Sequence, residues 1–91
     1  MNTCKHCFIR GHVQGVAFRY HTRKEAMNLN LTGWVRNLPE GRVEVWVCGG
    51  TAEVEKFCRW LYQGPALSQV IEVQCQTVAT SHRFDSFDIT G

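Results

Sequence analysis

The sequence predicts one α+β domain, an antiparallel sheet with two helices on a single face. Three observations predict it. Strand-like and helix-like stretches follow one another in the order β-α-β-β-α-β, with a short strand-like stretch at the end. Only a tight-turn signal separates the two middle strands, so they form a hairpin. Both helical stretches are amphipathic, so each has one apolar stripe to bury against the sheet.

Each element has its own local cause. Residues 4–13 carry the apolar run Cys7-Phe8-Ile9 and read as a strand. Residues 18–30 read as a helix, with Phe18, Thr22, Ala26 and Leu29 near one face. Residues 31–38 read as a second strand, ended by Pro39-Glu40-Gly41, where proline presets φ and glycine accepts positive φ. Residues 42–47 alternate Val43, Val45 and Val47 with Arg42, Glu44 and Trp46, the pattern of a half-buried strand. Gly49-Gly50 ends it, and Thr51 is placed as an N-cap with Glu53 and Glu55 in the first turn. Val54, Phe57, Cys58 and Leu61 keep the i, i+3, i+4, i+7 spacing of a second helix, which Gly64-Pro65 stops. Residues 70–78 and 84–89 read as strands. Two βαβ halves joined by a hairpin make the split βαβ, or ferredoxin-like, sandwich. In that arrangement the first strand is central and antiparallel to the third. The second strand runs parallel to the first, so their C-terminal ends lie at the same end of the sheet.

Composition narrows the function. The 91 residues make a single domain, 1–91, with room for one modest core. Hydrophobic content of 44% with 20% charged residues is that of a globular chain. A net charge of +2 suits a small anionic ligand and argues against a nucleic-acid partner. No segment is apolar enough to span a bilayer, and Met1-Asn2-Thr3-Cys4-Lys5-His6 lacks the apolar core of a signal peptide, so a cytoplasmic monomer is expected.

The densest signal is Gly11-His12-Val13-Gln14-Gly15-Val16-Ala17-Phe18-Arg19, where a strand gives way to a helix. Amide N–H groups at a helix start have no intrahelical acceptor, and the helix dipole favours negative charge there. Glycines let such groups turn inward into a concave nest. Arg19, in the first helical turn, adds a planar cation that grips two phosphate oxygens at once. The loop lacks Gly-Lys-Ser/Thr, and no acidic residue is placed to hold magnesium, so the ligand it suits is one phosphoryl group and not a nucleotide. Asn37 ends the second strand at the same end of the sheet. Two readings of it are open, a turn-starting residue before Pro39 or a carboxamide that orients a water.

Together, Gly11-x-Val13-Gln14-Gly15-Val16-x-Phe18-Arg19, Gly33-Trp34-Val35-x-Asn37 and Gly41-x-Val43-Glu44-Val45 resemble the acylphosphatase family over nearly the whole chain. The resemblance implies a hydrolase of small acyl phosphates that uses neither metal nor cofactor. Gln14, Gly15, Val16, Ala17 and Phe18 would bind the phosphate through the loop, Arg19 would hold it, and Asn37 would place the attacking water. Many members end with a basic residue after the last aromatic strand, whereas this chain ends Phe87-Asp88-Ile89-Thr90-Gly91.

Other residues carry weaker signals. Cys4-Lys5-His6-Cys7 looks like half a metal site, but i and i+3 in a strand face opposite ways and no second Cys-x-x-Cys exists, so no metal is expected. Five cysteines leave at least one unpaired, and cytoplasmic redox favours thiols. Strand parity puts Cys4 and Cys48 on the helix-free face, where one bridge is geometrically possible. His12 flanks the loop, and His21, Arg23 and Lys24 read as a solvated helix face. Asp85 and Asp88 have no histidine partner, and Trp34, Trp46 and Trp60 read as packing or surface residues. Two alternatives stand beside the hydrolase. An RNA-binding RRM shares the βαββαβ order, and Phe8 and Trp46 occupy its aromatic positions, but the third strand lacks the Gly-Phe/Tyr-rich signature. An acylphosphatase-like domain that handles carbamoyl phosphate opens longer hydrogenase-maturation chains; the stop at Gly91 favours the free-standing enzyme.

Overall fold

The computed structural model describes residues 2–79 and 84–91. Its elements are β1 (Asn2–His12), α1 (Phe18–Asn28), β2 (Thr32–Asn37), β3 (Val43–Gly50), α2 (Thr51–Gln63), β4 (Gln69–Val78) and β5 (Phe87–Ile89). They form one sheet in the order β4-β1-β3-β2-β5. β1 is antiparallel to β3 and β4, β2 is antiparallel to β3, and β5 runs parallel to β2 at the edge. This is the predicted ferredoxin-like arrangement, with the terminal strand added beside β2.

The helical stripes fall where the periodicity put them. Phe18, Thr22 and Ala26 of α1 and Val54, Phe57, Cys58 and Leu61 of α2 are buried. All but Thr22 pack with Cys7, Ile9, Val35, Val43, Val45, Val47, Val73 and Phe87 of the sheet in one core. Phe87 is buried although no basic residue follows it, because the parallel pairing of β5 with β2 fixes its side chain inward. No helix among the described residues is long and apolar enough to cross a membrane.

Several details differ from the sequence reading. Gly50 is the N-cap of α2, in extended geometry, and Thr51 is already helical; the Thr51 hydroxyl lies 2.7 Å from that of Thr3. β3 therefore runs straight into α2 without a separate cap. The last strand begins at Phe87, not at residue 84. Arg23 is not simply solvated, since its Nε donates to the Phe87 carbonyl at 3.0 Å and ties α1 to β5.

The largest departure from simple alternation is Glu44, buried on the helix-free face. His6 Nε2 and Arg36 Nε each lie 2.6 Å from one of its carboxylate oxygens. Burial by itself would raise the Glu44 pKa, but the hydrogen bonds from His6 and Arg36 outweigh it and hold the carboxyl below its ordinary value. Aromatic rings close over the same face: the His6 ring centroid is 4.7 Å from Phe8 and 5.0 Å from Trp46, and the Arg42 guanidinium sits 4.7 Å above Phe8.

The thiols also differ from expectation. Cys4 and Cys48 face each other in the β1–β3 register and form a disulfide. A second disulfide, unforeseen, joins Cys7 to Cys75 on the opposite face, where the β1–β4 register sets them side by side. Only Cys58 is free, and burial pushes its pKa above the usual thiol value. Four of five cysteines are thus paired, where mostly reduced thiols were expected. The cause is the register of β4 on β1, which no local pattern reveals.

Candidate active site

Between the end of β1 and the start of α1 the chain bends through residues 13–17. The bend starts from Gly11, at φ 140°, where the β1–β4 register shifts. A side chain there would collide with the Gln69 carbonyl, so only glycine fits. Further on, Gly15 has φ 76° and Ala17, the N-cap of α1, has φ 59°. A non-glycine residue held in the left-handed region carries strain, and successive turns of this kind aim backbone N–H groups into a concavity.

The first backbone bond of α1 runs from His21 N–H to the Ala17 carbonyl at 3.1 Å. The N–H groups of Phe18, Arg19 and Tyr20 therefore precede the helical ladder. No side chain caps this end of the helix, and its first turn holds no acidic residue. The positive end of the dipole is left open toward the bend.

The bend, the helix start and the end of β2 enclose a cleft of about 200 Å³, lined by Val13, Gln14, Gly15, Ala17, Phe18, Arg19, Tyr20, Asn37 and Ile89. Of the residues singled out from sequence, Gln14, Gly15, Ala17, Phe18, Arg19 and Asn37 meet there. Val16 does not line it; its side chain packs against the core. His12 is exposed on the last position of β1 and lies outside the lining.

Among the described residues Arg19 makes no ion pair, whereas Arg10, Arg36 and Arg42 each meet a carboxylate. Its guanidinium is available to an anion in the cleft. Asn37 Oδ1 is buried and accepts no hydrogen bond among the described residues. A buried acceptor without a partner is costly unless a donor reaches it. Gln14 is committed differently. Its Nε2 donates to the Leu38 carbonyl at 2.9 Å and to the Arg42 carbonyl at 3.0 Å. These two carbonyls belong to the β2–β3 turn, which is closed by Leu38 N–H to Arg42 C=O at 2.8 Å. The side chain thus ties the β1–α1 bend to the turn that follows Asn37.

Sequence reasoning missed Val13, Tyr20 and Ile89. Ile89 reaches the cleft because β5 pairs with β2, placing it opposite Val35, and Thr90 N–H donates to the Val35 carbonyl at 2.9 Å. That pairing joins segments far apart in the chain and leaves no local signal. Tyr20 is legible as a neighbour of Arg19 in the first helical turn. The lining holds no Asp, Glu or His. It offers a cation, amides, two carboxamides and a phenol, a set suited to holding a phosphoryl group and a water, with no carboxylate for a divalent ion.

Comparison with known proteins shows the family. The acylphosphatase family pattern matches residues 5–89. An acylphosphatase of Nitrosococcus oceani is 51% identical over 78 residues, covering 86% of this chain and 88% of the relative. The solved structure of an acylphosphatase from Coxiella burnetii superposes with a TM-score of 0.94 at 37% identity, over 98% of this chain and 93% of that one. The acylphosphatase from Bacillus subtilis gives the same TM-score, 0.94, at 30% identity over the whole of both chains. By its sequence pattern, its fold and its relatives, the chain belongs to the acylphosphatase family of hydrolases.

Proposed function

We propose that this chain hydrolyses the carboxyl–phosphate bond of small acyl phosphates by direct attack of water, releasing a carboxylate and inorganic phosphate. The observation that carries the reading is the pairing of an uncommitted arginine, Arg19, with a buried amide oxygen, Asn37 Oδ1, across one small cleft. In this reading the guanidinium of Arg19 and the N–H groups of the Gln14–Phe18 bend bind the phosphoryl oxygens. Asn37 accepts a hydrogen bond from the water and holds its lone pair toward phosphorus.

A cleft without Asp, Glu or His suits this substrate. Phosphoryl transfer passes through a loose transition state with little bond formation to the nucleophile, so charge stabilisation and positioning carry the rate. The leaving carboxylate needs no proton. A phosphoryl oxygen of the substrate takes the proton that the water loses, and no side chain acts as general base. The protein acts as a cytoplasmic monomer in this proposal.

The RNA-binding alternative needs the rings of Phe8 and Trp46 open to bases. Instead Arg42 covers Phe8, and Trp46 is packed between His6, at 5.0 Å between ring centroids, and Trp34, stacked at 6.4 Å. The test of the hydrolase is cleavage of benzoyl phosphate in the presence of EDTA. Arg19→Ala is expected to lose at least about 100-fold in kcat/KM. Arg19→Lys is expected not to recover it, because an ammonium cannot reproduce the two-pronged grip. Inorganic phosphate is expected to compete with substrate in the parent protein. Equal rates for the parent and Arg19→Ala would remove the assignment.

A further inference from the structure

We propose that Cys7, Cys58 and Cys75 form a three-sulfur site for a soft metal ion of the Cu(I) type, available when the Cys7–Cys75 disulfide is reduced. The three Sγ atoms lie within 4.8 Å of one another. They come from three elements, β1, α2 and β4, that the core packs together. Two of them are locked side by side by strand register, and the third comes down onto them from the helix. None of the three lines the phosphate cleft, so the site is separate from the hydrolase chemistry.

The donor set selects the ion. Metal–thiolate bonds of about 2.3 Å place three sulfurs around one ion at roughly 4 Å from each other. The observed spread of up to 4.8 Å reaches that arrangement by side-chain rotation once the S–S bond is open. Thiolates without harder donors favour Cu(I) over Mg(II), Ca(II) or Mn(II). Among the described residues no fourth His, Cys, Asp or Glu joins the group, which disfavours the closed tetrahedral set of structural Zn(II). Cu(I) is content with two or three sulfurs. Cys7 is fully buried and Cys58 is 9% exposed, but Cys75 is half-buried on the edge strand β4, so an ion enters past Cys75.

The chemistry balances in two steps. A dithiol reductant gives two electrons and two protons to the Cys7–Cys75 bond and leaves as its own disulfide, and Cys7 and Cys75 become thiols. The three thiols then release their protons to the buffer as their sulfurs bind Cu(I), and no oxidation state changes. With the disulfide closed, two of the three donors are already used, so the same position serves either as a cross-strand tether or as a metal site.

The experiment uses the full chain, reduced anaerobically with a phosphine that is then removed. Cu(I) is titrated in competition with a bathocuproine chelator. One equivalent is expected to bind with an ultraviolet sulfur-to-copper absorption. The phosphine also opens Cys4–Cys48, so a Cys4→Ser/Cys48→Ser variant is expected to keep that equivalent and a Cys7→Ser/Cys58→Ser/Cys75→Ser variant to lose it. Cys58→Ser alone is expected to bind at least tenfold more weakly. The oxidised protein is expected to bind none at this position. Benzoyl phosphate hydrolysis reports whether each variant is folded. X-ray absorption at the copper edge of the parent protein needs no variant, and three sulfur neighbours are expected. Binding by the triple variant equal to the parent, undiminished binding by Cys58→Ser, or two sulfur neighbours in the parent would each overturn the proposal.

Discussion

Asn37 shows how one residue changes meaning with its surroundings. By sequence it is equally a turn former and a water holder. In the fold its Oδ1 is buried beside the cleft without a partner among the described residues, while the turn is closed by other groups. A turn-forming asparagine would spend that oxygen on a nearby backbone N–H. Asn37→Ala is therefore expected to lower kcat by up to about 100-fold through loss of water positioning, with a much smaller change in KM. A steady-state comparison on benzoyl phosphate checks it; a rise in KM at constant kcat would assign Asn37 to substrate binding instead. Gln14 was legible as part of the loop; its side chain has work of its own beside the phosphate contact proposed for its backbone N–H. Its two bonds to Leu38 and Arg42 carbonyls fix the loop against the turn. Gln14→Leu is expected to cost about 1–2 kcal/mol of stability, because each hydrogen bond contributes near 1 kcal/mol and both carbonyls keep another donor. Urea unfolding measures this, and the same variant is expected to bind inorganic phosphate more weakly as the loop loosens.

At the scale of elements, β3 shows what alternation can and cannot say. The pattern places Val43, Val45 and Val47 in the core, and all three are fully buried. It also places Glu44 on the outer face, which is correct, but says nothing of its burial. That follows from His6 on β1 and Arg36 on β2, each one strand away. Because the Glu44 pKa is lowered in the folded protein, its contribution to stability is complete above its unfolded value near 4.5 and is lost as pH falls through the folded value. The melting temperature of the parent protein is expected to fall more steeply with acid below about pH 4.5 than that of Glu44→Gln. Parallel curves would mean that the pairing adds nothing to stability. The boundary between β3 and α2 shows the same limit: a threonine followed by acidic residues reads as a cap, yet the strand delivers the chain into the helix through Gly50.

Over the whole molecule, the two disulfides close loops of 44 and 68 residues in sequence separation. Constraining the unfolded chain by a loop of that size is worth about 4 kcal/mol in the chain-entropy model. Reduction is expected to lower the urea midpoint substantially, and Cys4→Ser/Cys48→Ser to account for up to about 4 kcal/mol of that loss. An unchanged midpoint after reduction, with an intact mass two daltons higher per opened bond, would show that the bridges do not contribute. The two bridges also lie on opposite faces of β1, one joining it to β3 and the other to β4. They hold the central strand from both sides, and β1 is the strand that leads into the bend lining the cleft.

The sequence by itself determined the element order, the inward faces of both helices and of β3, and most of the loop residues that gather with Arg19. These rest on local periodicity and on glycine positions, which neighbouring residues encode. Only the tertiary structure decided which groups stay free. It paired Glu44 with His6 and Arg36, joined Cys7 to Cys75 beneath Cys58, spent Gln14 on the turn, and brought Ile89 to the cleft beside Asn37. Each of these is a contact between strands or between strand and helix. Such contacts are set by sheet register and strand order, which depend on how the whole core closes and not on any one stretch of chain.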